Sequence, residues 1–192
     1  MAVVMEQFIL FSQHCGMPLE DINFINCSNE NMEHVINNAD FKMIQFTGSS
    51  KIAEHISKLN NGKVKIEDAG FDWKVLGPDV VDFDYVCWQS DQDAYAATGQ
   101  KCSAQSIVFV HENWYKAGFV QKIKEISSKR SLDNLTVGPV ITWDNKKIKA
   151  HIDAVSSIKG AKVAFGGQPL KNHKIPDIYG AYEPTAVEVP LE

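Results

Sequence analysis

No run of about eighteen apolar residues occurs anywhere in the 192-residue chain, so no segment is predicted to cross a membrane as a helix. The opening residues, Met1 to Glu6, lack the basic region and long apolar stretch of a secretory signal and lead directly into a helical pattern, so the start reads as the middle of a domain. Cysteines at 15, 27, 87 and 102 form no Cys-x-x-Cys pair and no metal-ligand spacing with the 6 scattered histidines. That pattern excludes a recognisable zinc site and predicts thiols in a reducing compartment rather than a disulfide framework. Basic residues gather in no block, and 19 Lys and Arg against 24 Asp and Glu leave a net charge of −5 and a pI near 5.7. That balance argues against a polyanion-binding surface, and nucleic acid is not an expected partner. Internal repeats, low-complexity tracts, an obvious linker and the Gly-x-Gly-x-x-Gly and Walker phosphate motifs are also missing.

What is present is an ordinary globular composition, 44% hydrophobic and 22% charged, sufficient for one large domain or two small ones. Val4, Phe8, Phe11 and Cys15 recur at helical spacing ahead of Gly16 and Pro18 and predict a helix of about three turns. Asp21 to Cys27, with Ile22, Phe24 and Ile25, reads as a short strand, and Asn29 to Asn37 as a polar helix or turn. Met43 to Phe46 reads as a strand that breaks into Thr47-Gly48-Ser49-Ser50 before a helix over Lys51 to Leu59. Val64 and Ile66 alternate with charged residues in a strand ending at Asp68-Ala69-Gly70, and Val75 to Val81 continues extended through Gly77-Pro78. A helix over Asp82 to Thr98 then delivers the chain to Gly99. Next come a strand, Ser106 to His111, and one amphipathic helix, Trp114 to Ser128, with Phe119, Ile123 and Ile126 facing inward. Beyond a loop with Gly138-Pro139-Val140, a helix covers Ile148 to Ile158 and a strand Ala161 to Phe165. Gly166-Gly167 makes a turn, Asn172 to Ala181 is irregular, and Thr185 to Val189 is a last strand. Strand, small-residue turn, helix is the ground plan of a parallel α/β sheet, and the order is consistent with two α/β lobes meeting near residue 102.

Chemistry concentrates at three places. Gly99-Gln100-Lys101-Cys102-Ser103-Ala104 sets a cysteine in a small-residue turn before the apolar run Ile107 to Val110. A thiol is mostly protonated at neutral pH, so a nucleophilic cysteine needs a cation, a helix end or a base beside it; Lys101 and the turn offer the first two. The plain alternative is an inert cysteine acting as a small hydrophobe. At Thr47 to Ser50, backbone N–H groups at a helix N-terminus suit either an anion such as a pyrophosphate or a simple serine cap. Glu67 and Asp68 end a strand where α/β sheets place their ligands, as a general base or as ordinary loop charges. A cysteine hydrolase with His111 as base is a further arrangement, but nothing in the sequence orients that histidine, which sits at a strand end.

Taken together, Phe46-Thr47-Gly48-Ser49, Glu67 before Gly70, and Gly99-Gln100-Lys101-Cys102 resemble the aldehyde dehydrogenase superfamily. Gly138-Pro139, Gly160-Ala161-Lys162 leading to Gly166-Gly167, and Glu183-Pro184-Thr185 occur in the same order in that family, so the resemblance covers nearly the whole chain. Glu67-Asp68-Ala69-Gly70-Phe71-Asp72-Trp73-Lys74 with Gly99 to Gln105 resembles its plant-type pyrroline-5-carboxylate dehydrogenase branch, although Asp68-Ala69 stands where Leu-Gly is common elsewhere. The resemblance implies an α/β chain forming part of the aldehyde dehydrogenase fold. Residues 1–69 correspond to the C-terminal half of a Rossmann-like NAD-binding domain, and residues 70–192 to the first part of an α/β catalytic domain. It further implies Cys102 as nucleophile, Glu67 as the base that activates water, and Thr47, Gly48 and Ser49 as the turn holding the NAD pyrophosphate. Ser103 is implied as an anchor of the substrate carboxylate and Lys101 as a source of favourable field.

The implied activity is NAD-dependent oxidation of L-glutamate γ-semialdehyde to glutamate in proline catabolism. The implied setting is the mitochondrial matrix, or otherwise the cytoplasm, with the full-length parent a homo-oligomer acting on a small aldehyde without metal, membrane or nucleic acid. Family chains are longer, and the resemblance sets Met1 after the ribose-binding lysine and the oxyanion-holding asparagine. It likewise sets the end of the chain before the glutamate that grips the nicotinamide ribose, so these 192 residues alone are expected to be inactive. The alternatives are an aldehyde dehydrogenase of different substrate, or a truncated, non-catalytic product whose severed faces, including the last strand, expose apolar residues.

Overall fold

In the computed structural model, which describes residues 2–68 and 70–191, the chain folds as two units, Met1–Asp68 and Ala69–Glu192. The first unit opens with α1 (Ala2–His14), the predicted three-turn helix, closed by Gly16 at φ +98°. Asp21 to Cys27 forms no strand, contrary to its apolar pattern. A strand exists only through its ladder, and no described strand lies alongside this stretch, so Phe24 and Ile25 stay exposed. The polar segment that follows is the helix α2 (Asn29–Asn38), whose first turn is capped by Ser28 Oγ accepting from the Asn31 N–H at 3.4 Å.

β1 (Ile44–Gly48) and β2 (Val64–Asp68) pair in parallel, with α3 (Ser50–Leu59) as the crossover helix. The strand runs through Thr47 and Gly48, so the predicted four-residue turn shrinks to Ser49 at the entry to α3. Ala53 and Ile56, one helical turn apart, form the buried stripe of α3. They are the buried hydrophobic residues of this unit among those described.

The second unit is built on β3 (Asp72–Leu76) and β4 (Gln105–Val110), again parallel, with Trp73 opposite Ile107 and Leu76 opposite Val110. β3 begins earlier than the sequence pattern suggests and stops at Leu76 instead of continuing to Val81. The ladder ends there because side chains take its carbonyls: Trp114 Nε1 donates to Gly77 O at 2.9 Å and Asn113 Nδ2 to Pro78 O at 2.8 Å. Helix α4 (Phe83–Tyr95) ends three residues before the predicted Thr98, because Ala97 and Thr98 adopt left-handed φ values within a short 3-10 turn, Ala96–Gly99. The single helix expected over Trp114 to Ser128 is two, α5 (Glu112–Lys116) and α6 (Phe119–Ser127). Gly118 divides them at φ +92°, a conformation that costs glycine little and breaks a helix.

Helix α7 (Asn145–Ser156) starts at Asp144, whose Oδ1 accepts from the Lys147 N–H at 2.8 Å; β5 (Lys162–Phe165) then pairs antiparallel with β6 (Ala186–Glu188). Leu76, Cys87, Trp114, Phe119, Ile123 and Phe165 make the core, with Ile126 partly buried against it. Asp91 of α4 and Arg130 form a buried ion pair in which Arg130 Nη2 lies 2.6 Å and Nε 3.2 Å from the carboxylate, while Nη1 reaches Thr136 O at 3.3 Å. The opposite face of the β3–β4 sheet carries Trp73, Val75, Ile107 and Phe109 in exposed cross-strand pairs. Among the described residues no helix is long and apolar enough to cross a membrane.

Candidate active site

The seven residues singled out by sequence fall into two clusters, one in each unit. In the first, the parallel pairing of β1 and β2 sends both carboxyl ends the same way, so Thr47 stands opposite Glu67 and Gly48 opposite Asp68. The small-residue turn and the carboxylates therefore share one strand end, the edge of an α/β sheet where ligands bind. Ser49 occupies the N-cap position of α3, yet its side chain makes no capping hydrogen bond. Its carbonyl accepts from the N–H groups of Ile52 and Ala53, each at 3.0 Å, leaving Ser50 and Lys51 with N–H groups at the open end of the helix. A Cβ at Gly48 would fall 2.5 Å from Phe46 Cζ, so the phenyl ring lies over the turn and would have to swing aside to admit a side chain there. An open helix terminus with an uncommitted serine hydroxyl is suited to an anion.

In the second cluster, Lys101, Cys102 and Ser103 are all exposed in the turn entering β4, closed by Ala104 N–H donating to Lys101 O at 3.1 Å. The helix end that precedes Cys102 is a C-terminus, since α4 and the 3-10 turn both run toward it. The thiolate-favouring helix end expected from sequence is thus not supplied by that turn, because the dipole there has the wrong sign. Lys101 Nζ donates to Gln92 O at 3.4 Å. Near it, Asp93 is raised by burial but brought below the usual carboxylate range by Lys74 Nζ at 2.7 Å and Gln89 Nε2 at 3.0 Å, with Lys101 adding to the lowering.

The backbone leading to this turn is strained. Ala97, Thr98 and Gly99 take φ values of +53°, +58° and +70° in succession. For alanine and a β-branched threonine, the left-handed region costs roughly 1–2 kcal/mol per residue. Side-chain hydrogen bonds from a distant loop hold it: Gly138 N–H donates to Thr98 Oγ1 at 2.8 Å, Gln100 Nε2 donates to Pro139 O at 2.9 Å, and Ile141 N–H donates to Gln100 Oε1 at 2.9 Å. Thr98 and Gln100 have no predicted role from sequence. The one local signal is Gly138-Pro139, which marks a rigid loop without telling where it docks. A shallow depression between Thr98, Gln100, Val140, Ile141 and Trp143 flanks the contact.

The other titratable candidates have structural duties. His111 Nδ1 accepts from the Asn113 N–H at 3.2 Å and caps α5, which leaves the cysteine-hydrolase arrangement without a base. Cys87 lies fully buried, and that burial pushes its thiol up to about 11, against nucleophilic use.

The model of the aldehyde dehydrogenase family matches residues 1–190. Over its whole length the chain is 52% identical to "Delta-1-pyrroline-5-carboxylate dehydrogenase 12A1, mitochondrial" of Arabidopsis thaliana and 50% identical to a "Probable aldehyde dehydrogenase" of Linum usitatissimum. It covers 34% and 35% of those two proteins, so it spans about a third of the length of the curated relatives it matches. Among solved structures, the betaine aldehyde dehydrogenase of Staphylococcus aureus in complex with NAD+ superposes at a TM-score of 0.72 with 26% identity, over 91% of this chain and 36% of that one. The succinate-semialdehyde dehydrogenase of Burkholderia pseudomallei superposes at 0.80 with 23% identity, over 93% and 37%.

Proposed function

The chain belongs to the aldehyde dehydrogenase family and carries part of that family's α/β fold, and on that premise we propose that it is the stretch of a pyrroline-5-carboxylate dehydrogenase bearing a cofactor turn and the reactive thiol. The observation that carries this reading is the 52% identity, sustained across the whole chain, to the Arabidopsis protein of that name. The reaction is oxidation of L-glutamate γ-semialdehyde to glutamate. The same relative's name supports the mitochondrion as its place, and within it we propose the matrix and, from the reaction, proline breakdown as the context.

The residues present fit a dinucleotide. Ser49 with its uncommitted hydroxyl, the N–H groups opening α3, and Gly48 beneath the Phe46 ring would hold its pyrophosphate, with Thr47 at the same strand end. NAD supplies a hydride acceptor when bound. The chain's own residues carry the remaining steps. Cys102 Sγ adds to the aldehyde carbon and forms a thiohemiacetal, with the Cys102 N–H contributing to the oxyanion site. Once that adduct is oxidised to a thioester, Glu67 draws a proton from the water that opens it, releasing glutamate and restoring Cys102; a positioned base of this kind contributes about 10² to 10⁴ in rate. Ser103 and Lys101 offer a hydroxyl and an ammonium to the substrate's carboxylate.

The test grafts residues 1–192 in place of the matched stretch of the Arabidopsis enzyme and follows NADH formation with glutamate semialdehyde and with a panel of other aldehydes. Turnover with the semialdehyde, abolished by Cys102→Ala and limited by slow thioester hydrolysis in Glu67→Gln, is expected. A graft that prefers a different aldehyde, or that keeps its activity in Cys102→Ala, overturns the assignment. The 192 residues by themselves are expected to give no turnover.

A further inference from the structure

The strained run before Cys102 is tied to a segment that is itself fixed from the other side. Val140 N–H donates to Gly180 O at 2.8 Å and Gly180 N–H returns to Val140 O at 2.9 Å, an antiparallel bridge. Gly180 is held to this contact because a Cβ there would press on Trp143 O at 2.7 Å and on Val140 Cβ at 3.1 Å. Residues 139–141 therefore form a rail with one edge already paired. The other edge offers Pro139 O and the Ile141 N–H, two residues apart, and the Gln100 carboxamide meets both at 2.9 Å, donating to the first and accepting from the second. A primary amide has one donor and one acceptor group in a plane, so it completes the rail as a neighbouring strand would. Gln100 Nε2 also lies 3.4 Å from Ala97 O, and the Gln100 N–H donates to the same carbonyl at 3.1 Å, so this residue, alongside the Thr98 contact with Gly138, ties the left-handed run to the rail.

Resting on the reading of Cys102 as nucleophile, we propose that Gln100 is the positioning residue of the thiol turn: its carboxamide docks the backbone of residues 97–104 onto residues 139–141 and so sets where Cys102 and Ser103 present their side chains. The side chain never touches the reacting atoms. Its effect passes through the turn, which holds strained φ values only while the surroundings over-determine them. Each half of the amide is used, because the contact with Pro139 is made to a carbonyl, which accepts, and the contact with Ile141 to an N–H, which donates.

Thiol exchange with 2,2′-dithiodipyridine, which reacts from about pH 4 to pH 8 and is resolved by residue through peptide mass spectrometry, tests this on the 192-residue chain without requiring turnover. The measured quantity is the ratio of the Cys102 rate to that of exposed Cys15, with far-UV circular dichroism as a fold control. In Gln100→Ala the ratio is expected to shift at least about threefold from the parent at both ends of the range. In Gln100→Glu it should be shifted likewise at pH 8, where a carboxylate faces Pro139 O. It should move back toward the parent's value as the pH falls to about 4, where most of the carboxyl is protonated and again both donates and accepts. A parent-like ratio in Gln100→Ala overturns the proposal. So does a Gln100→Glu shift that fails to reverse on acidification, since general loosening of the loop has no reason to respond to that one proton. If Gln100→Ala does not fold, the two ends of the Gln100→Glu range carry the comparison. Failure of the nucleophile assignment is read separately, as turnover surviving Cys102→Ala in the graft.

Discussion

The two units solve the same problem with unequal means. Each contains a parallel strand pair joined by a helical crossover, yet the first buries Ala53 and Ile56 while the second, which adds the antiparallel β5–β6 pair, buries a cluster around Cys87, Trp114, Phe119 and Phe165. A pair of strands with one helix over it removes little apolar area from water and is marginal by itself. In the second unit α6 packs against α4, and the α5–α6 break at Gly118 turns Trp114 edge-on to Phe119, with ring centroids 6.2 Å apart. Stability in this chain thus resides mainly where the turn of Cys102 is held, and the turn at Thr47 to Ser49 sits on the weaker frame.

Four measurements sharpen or break that contrast. Trp114→Ala removes a 3%-exposed indole and its bond to Gly77 O, and urea titration followed by circular dichroism should show the second unit weakened by about 4 kcal/mol. Arg130→Ala strands the carboxylate of Asp91, which is 1% exposed, and should weaken the same unit by about 3 kcal/mol. Replacing both partners by apolar residues should recover much of that loss, and no recovery would mean that the Thr136 contact matters more than the charges. Ile56→Ala should lower protection of the β1–β2 amides by about 2 kcal/mol in hydrogen exchange and leave the second unit unchanged; an equal loss in both would end the view of them as separately stabilised.

An effect of similar size to that of Ile56→Ala is alkaline. Burial raises Cys87 from 9.0 to about 11 and raises the Tyr95 phenol as well, Asp91 adding to the latter. The unfolded thiol ionises first, so its contribution is intact below pH 9 and declines as pH rises toward 11, by roughly 2 kcal/mol for Cys87. Cys87→Ala should flatten that decline, and an equally steep one in the variant would assign it to Tyr95 or elsewhere.

Much of this arrangement was legible in the chain. The period of α3, the alternation in β2 and the apolar run of β4 each report a local preference that the surroundings then satisfy. The small-residue turns could be picked out because glycine and serine are informative one residue at a time. Asp21 to Cys27 misleads because apolar alternation says that a segment can pair, not that a partner exists. The ends of α4 and α5 were hidden for a different reason. Trp114 to Ser128 keeps a helical period across the break, and Tyr95 to Thr98 continues one, so only the left-handed φ at Gly118 and Ala97 marks the stops. The Gln100 contact joins residues 39 and 41 positions apart in sequence, and no local pattern encodes a partner at that distance.

The division into units also governs what light can report. All 4 tryptophans and all 5 tyrosines lie beyond residue 68, at Trp73, Trp88, Trp114 and Trp143 and at Tyr85, Tyr95, Tyr115, Tyr179 and Tyr182. The first unit is therefore dark in intrinsic fluorescence and nearly silent in the near ultraviolet. A fluorescence melting curve of this protein is read from side chains of the second unit, and the frame around Thr47 to Ser49 needs a probe of its own.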